Sequence, residues 1–136
     1  MAHPFDVEVV AADRKVFTGQ AVSLVAPGAD GYLGILHDHA PLITSLAVGA
    51  ITIVTAENQP PIIIAISGGF MEVTGDKVII LADTAEMAQD IDIERARLAL
   101  ERAEGRLRGA EEGTDVDRAK AALLRALNRL RIAGQH

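Results

Sequence analysis

Apolar residues recur with a period of two from Phe5 to Leu81 and with a period of three to four from Ile93 to Ala133, so the chain changes structural character once. Phe5, Val7 and Val9 alternate with Asp6 and Glu8, which predicts a half-buried strand. A polar turn at Asp13-Arg14-Lys15 leads to a second short strand at Val16-Phe17, ended by Gly19, and Val22, Leu24 and Ala26 mark a third. Further strands are predicted over residues 32–36, 42–46, 50–55, 62–67, 70–73 and 78–81. Turn formers separate them: Pro27-Gly28, Gly31, Pro41, Gly49, residues 58–61, Gly68-Gly69 and Gly75-Asp76. About nine or ten short strands at regular spacing predict a two-sheet sandwich or flattened barrel, not alternating β and α units.

The second half carries helical stripes. Ile93, Ala96, Leu100, Ala103 and Leu107 fall on one side of a first helix that Asp92 can cap. Residues 109–113 interrupt the pattern, and Thr114 or Asp115 can cap a second helix with Ala119, Ala122, Leu123, Ala126, Leu127, Leu130 and Ala133 on one face. The short connection predicts an antiparallel hairpin with an Ala/Leu seam. The fold class expected is therefore α+β: an all-β sandwich over residues 1–86, then a two-helix hairpin over residues 87–136. Residues 81–96, which turn acidic at Asp83, Glu86, Asp90 and Asp92, form the hinge. A seam half made of alanine buries roughly a few hundred Å², so the hairpin alone is expected to be marginal and to rest on another surface.

Charge changes this picture. Residues 1–83 hold nine acidic and three basic side chains, a net charge of −6, whereas residues 84–136 hold ten of each. From Arg118 onward there are five basic residues and no acidic ones. An acidic first half with 3% aromatic residues argues against nucleic acid as a partner, and a basic last helix points to an anionic surface or ligand. Arg95, Arg102 and Arg106 share one side of the first helix, and Arg118, Arg125 and Arg129 line the second. In a closed hairpin such rows suit a polyphosphate; the plainer reading is solvated faces laced with pairs such as Glu104 to Arg108. No apolar run approaches the roughly 20 residues of a membrane span, and the N-terminal residues do not read as a secretion signal, so a soluble, intracellular protein is expected.

Chemistry is sparse. The chain has no cysteine, which excludes disulfides and thiolate metal sites. In an extended segment His37-Asp38-His39 would put two imidazoles on one face and leave a coordination shell short, so no metal site is expected. Gly68-Gly69 lacks the further glycine and following helix of a dinucleotide fingerprint and reads as a tight bend or close backbone packing. No nucleophile motif is present, and no catalytic residue is assigned.

Taken in order, Gly31-Tyr32-Leu33-Gly34-Ile35-Leu36-His37-Asp38-His39-Ala40-Pro41-Leu42, Ser67-Gly68-Gly69-Phe70-Met71-Glu72-Val73, Leu81-Ala82-Asp83 and Asp90-Ile91-Asp92 with Arg95-Ala96 resemble the ε subunits of F-type ATP synthases over nearly the whole chain. The resemblance implies a non-catalytic subunit whose sandwich binds the rotating γ subunit and the c-ring, and whose hairpin either lies compactly or extends toward the α and β subunits and blocks ATP hydrolysis. It implies rotor contacts at Gly31, Tyr32, His37, Asp38, His39, Ala40 and Pro41, although the family commonly has Pro-Gly where this chain has His37-Asp38 and often Glu where it has Tyr32. Some bacterial relatives bind ATP as a regulatory ligand through a motif matched here by Ile91, Asp92, Arg95 and Ala96, with Glu86, Arg102, Arg125 and Arg129 at accompanying positions. Arg118, Lys120, Arg125, Arg129 and Arg131 are the candidates for the inhibitory contact. No cofactor is required by the resemblance, and the membrane enters only through the complex, at the cytoplasmic face of the cell membrane. Two other readings fit the letters: a free-standing nucleotide-sensing β-sandwich module, and a small β-sandwich enzyme using the His37-Asp38-His39 loop.

Overall fold

The computed structural model describes residues 3–109, 113 and 115–134. It divides into two compact units, Met1–Met87 and Ala88–His136. The first contains β1 (Phe5–Ala11), β2 (Lys15–Ala21), β3 (Ser23–Gly28), β4 (Gly31–Ile35), β5 (Leu42–Val54), β6 (Ile62–Thr74), β7 (Lys77–Ala82) and β8 (Ala85–Met87). The second contains a short 3₁₀ turn at Ala88–Asp90, α1 (Ile93–Arg108) and α2 (Val116–Ala133). A β-sandwich followed by a helical hairpin is the architecture the periodicity predicts.

Strands pair in the order β2-β1-β7-β6-β5-β3-β4, with β8 also on β6. β1 and β7 run parallel, and the other pairs are antiparallel. Two strands are much longer than expected. Residues 42–46 and 50–55 belong to one 13-residue strand, β5, and residues 62–67 and 70–73 to another, β6. Gly49 and Gly68-Gly69 do not end these strands. Thirteen extended residues reach about 40 Å, too long for a flat strand in a domain of this size. The C-terminal half of β6 pairs with β7 in one layer, and its N-terminal half pairs with β8 in the other. β2 likewise runs through Gly19 instead of stopping there, β4 ends at Ile35, and the three-residue β8 lies inside the acidic junction where no strand is predicted.

The passage between layers falls at the glycines. On β6, Ile64 and Ile66 are buried before it, and Met71 and Val73 after it, so the inward-facing positions change from even to odd. β5 changes phase opposite, from Leu46 to Ile51 and Ile53, and the register between the two strands holds throughout. Gly68 and Gly69 have φ of +111° and +137°, and a Cβ on Gly69 would collide with the Leu81 carbonyl. Only glycine adopts that backbone and permits that approach. Around it an aliphatic core closes, with Val7, Val9, Leu24, Ile35, Ile51, Ile53, Ile64, Ile66, Met71 and Ile80 all buried.

In the hairpin, Asp92 Oδ1 accepts from the Arg95 amide and Asp115 Oδ1 from the Arg118 amide, both at 3.0 Å, so an aspartate caps each helix. Thr114, the other cap candidate, lies outside the described residues. Ala96, Ala103, Ala119, Ala126 and Ala133 are buried, whereas Leu100, Leu107, Leu123 and Leu130 are half-buried.

Gly69→Ala should lower the stability of the first unit by about 2–4 kcal/mol, from strain plus steric overlap, while Gly34→Ala, with nothing near its Cβ, should cost less than about 1 kcal/mol. Urea titrations followed by circular dichroism check this; equal midpoints for the two variants would remove the close approach as a determinant of the fold.

Candidate functional site

Three surfaces carry side chains that the core does not explain. The first is the β4 edge and the loop after it. Gly31, at φ +132°, closes the turn into β4. The Tyr32 hydroxyl accepts from the Ala50 amide at 3.2 Å, and a Cβ on Gly49 would stand 2.7 Å from that hydroxyl, so glycine leaves room for this contact on β5. Beyond β4 the chain is a tight turn and not the extended segment expected: the His39 amide donates to the Leu36 carbonyl at 3.2 Å, and Asp38 sits at φ 67°. His37 Nδ1 lies 3.1 Å from the Asp38 carboxylate, while His39 Nδ1 donates to the Ala40 carbonyl at 2.7 Å. The two histidines thus serve different partners. His37, Asp38, His39, Ala40 and Pro41 form one short loop with Gly31 and Tyr32 on the strand leading into it.

The second surface is the outer face of the layer built from β1, β7 and the halves of β6 and β5. Cross-strand pairing sets Ser45, Phe70, Leu81 and Val10 in one row and Ile43, Glu72, Ile79 and Glu8 in the next. Ile43, Phe70 and Leu81 are 72%, 60% and 55% exposed. A solvated sheet face carries polar side chains, and a contiguous apolar patch on one marks a docking surface. Sequence reasoning missed it, because the phase change on β6 decides that Phe70 points out and Met71 in. Glu8 at its margin is held by Lys15 at 3.1 Å and Lys77 at 3.9 Å.

The third surface is the hairpin. Ile91 is buried just before α1, Asp92 caps the helix, Arg95 and Arg102 are exposed along it, and Ala96 belongs to its buried seam. Arg125 and Arg129 lie on α2, and Glu86 lies on β8 opposite Ala65. The same five-residue pattern begins both helices: Asp92-Ile93-Glu94-Arg95-Ala96 and Asp115-Val116-Asp117-Arg118-Ala119. The physical content shared by both is a cap and a seam alanine, which accounts for aspartate and alanine without a ligand and leaves the arginines unexplained. In the hairpin Arg97 pairs with Glu94 at 2.9 Å, and the Glu104 to Arg108 pair that the spacing allows does not form. Arg95, Arg102, Arg118 and Arg125 make no salt bridge to a described carboxylate. Arg131 donates to Asn128 Oδ1 at 3.2 Å.

Among the described residues no three His, Cys, Asp or Glu side chains gather as a metal cluster, and no helix is long and apolar enough to cross a membrane.

Residues 4–88 match the family described as ATP synthase, Delta/Epsilon chain, beta-sandwich domain, and residues 89–134 match ATP synthase, Delta/Epsilon chain, long alpha-helix domain. The chain is 51% identical over 108 residues to the ATP synthase epsilon chain of Moorella thermoacetica, covering 79% of this chain and 80% of that one. It is 52% identical over 101 residues to the ATP synthase epsilon chain of Brevibacillus brevis, covering 74% and 76%. Its fold is similar to a chain in the Euglena gracilis mitochondrial ATP synthase OSCP/F1/c-ring structure, with TM-score 0.78 and 23% identity over 96% of this chain and 80% of that one.

Asp92→Ala should cost α1 about 1 kcal/mol and Asp92→Asn much less, because asparagine also caps. Amide hydrogen exchange in the first turn of α1, at Arg95 above all, reads the difference; equal protection in both variants would deny Asp92 its capping role.

Proposed function

Because the chain belongs to the ATP synthase delta/epsilon family, we propose that it acts as the rotor-stalk ε subunit of a proton-translocating F-type ATP synthase, coupling the c-ring to the γ subunit and restraining ATP hydrolysis through its hairpin. It is an ATP synthase epsilon subunit, an accessory protein and not an enzyme. The observation that carries the coupling role is the exposed apolar face of Ile43, Phe70 and Leu81. A permanent partner that covers such a face gains roughly 25 cal/mol per Å² of apolar surface removed from water, and γ is the partner this reading assigns to it. The loop from His37 to Pro41, with Gly31 and Tyr32, would meet the c-ring, at a membrane surface that the chain approaches only through the complex, on its cytoplasmic side.

Regulation rests on the hairpin. Its seam is alanine-rich, and Arg95, Arg102, Arg118 and Arg125 make no salt bridge to a described carboxylate, so its resting place depends on what it touches. Extended, Arg118, Lys120, Arg125, Arg129 and Arg131 would meet acidic surfaces of the α and β subunits and block hydrolysis. Compact, Arg95, Arg102, Arg125 and Arg129 would hold the phosphates of ATP, near Ile91, Asp92 and Ala96, and low ATP would release the helices.

Two measurements test the two halves. Phe70→Asp combined with Leu81→Asp should weaken co-purification with γ by about tenfold or more while the circular dichroism spectrum stays native; undiminished recovery with γ would defeat the assignment of that face. In calorimetric titration with ATP, Arg102→Ala and Arg125→Ala should each weaken binding by about tenfold. Heat that survives both substitutions removes the hairpin arginines from the site, and absence of heat in the parent chain removes ATP gating while leaving the rotor role standing.

A further inference from the structure

The sequence offers His37 and His39 as neighbours, but the fold separates their chemistry and brings His37 a different companion. The His3 ring, just before β1, stands with its centroid 5.2 Å from that of His37 at an interplanar angle of 43°. His3 is exposed, and the His37 side chain is 32% accessible. Asp38 takes Nδ1 of His37 at 3.1 Å, which leaves Nε2, on the far side of the ring, as the nitrogen available to a ligand. His39 has its Nδ1 on the Ala40 carbonyl, and the recorded ring contact of His3 is with His37.

We propose that His3 and His37 form a two-imidazole site for a borderline-soft divalent cation of the zinc class, with Asp38 as the positioning carboxylate behind His37. With metal–nitrogen distances of about 2.0–2.1 Å, two imidazoles on one tetrahedral ion place their ring centroids about 5 Å apart, the separation found here. A carboxylate on the other ring nitrogen is the usual support of a metal-bound histidine: it fixes the tautomer and raises ligand basicity. The unit also carries a net negative charge, with nine acidic and three basic side chains in residues 1–83, which favours a cation. No third side chain of the metal-binding types joins the pair among the described residues, so water completes the shell and binding is reversible. An ion held there would tie the segment before β1 to the loop between β4 and β5.

The test is calorimetric titration of the whole chain with zinc chloride, with long-range proton–nitrogen NMR spectra of the imidazoles in parallel. The expected result is one ion per chain, with spectral shifts confined to His3 and His37. His37→Gln should abolish binding, and His3→Gln should weaken it by about tenfold or more. Asp38→Asn should also weaken it by about tenfold, since asparagine tolerates the positive φ but is a poorer acceptor. His39→Gln should leave it unchanged. None of the four positions is buried, and native circular dichroism of each variant separates lost ligation from lost folding. Absence of binding up to about 1 mM zinc, weaker than −4 kcal/mol, overturns the proposal. So does binding that survives His37→Gln, binding that follows His39 instead of His3, or an equal response to Mg²⁺, which prefers oxygen ligands.

Discussion

The β-sandwich depends on how closely β6 approaches β7 at Gly69. A side chain there would overlap the Leu81 carbonyl, so the two strands pair at this point only through bare backbone. Gly68 and Gly69 together, both at positive φ, reverse the alternation of the strand. Without the reversal, the even-numbered positions that begin at Ile64 would continue inward and aim Phe70 and Glu72 at the core. Burying the Glu72 carboxylate without a partner would cost several kcal/mol. With it, Met71 and Val73 fill that space, and Ile51 and Ile53 do so from β5.

The same reversal makes the outer face. Phe70 is turned to solvent beside Leu81, and the pairing of β5, β6, β7 and β1 adds Ile43, Ile79 and Val10 to the patch. One backbone constraint therefore yields both a dry interior and an exposed apolar surface. The second follows from the first, because a chain that alternates must send its neighbours of core residues outward. Tyr32 illustrates a related economy: its hydroxyl lies against Gly49 of β5 and takes the Ala50 amide. A residue placed among rotor contacts by resemblance thus also has work within the fold.

The hairpin is organised differently. Its helices are started by aspartate caps and joined through alanines, which permit close approach but contribute little buried area. Its leucines remain half-buried, and Leu124 and Leu127 of α2 are exposed. Helices of this length are marginal alone in water and take most of their stability from what they pack against. This combination suits an element that changes partners, and it contrasts with the sandwich, whose aliphatic core is continuous.

The sequence by itself determined the class of each half. Period-two alternation, turn formers, seam alanines and the Asp92 and Asp115 caps are local properties, and they led to a sandwich followed by a hairpin. Letters in order from Gly31 to Ala96 were enough for the family, which the matches over residues 4–88 and 89–134 bear out. Only the tertiary structure decided that nine predicted segments are fewer and longer strands, that β8 pairs with β6, that Phe70 faces out, and that His37 meets His3 across 34 residues of sequence while turning away from His39. The physical reason is common to all four. A glycine reads as a break when judged by its own flexibility, and as a continuation only when the strand it must pass is known; a side chain's direction and its distant neighbours are set by pairing register, which no short window of residues contains.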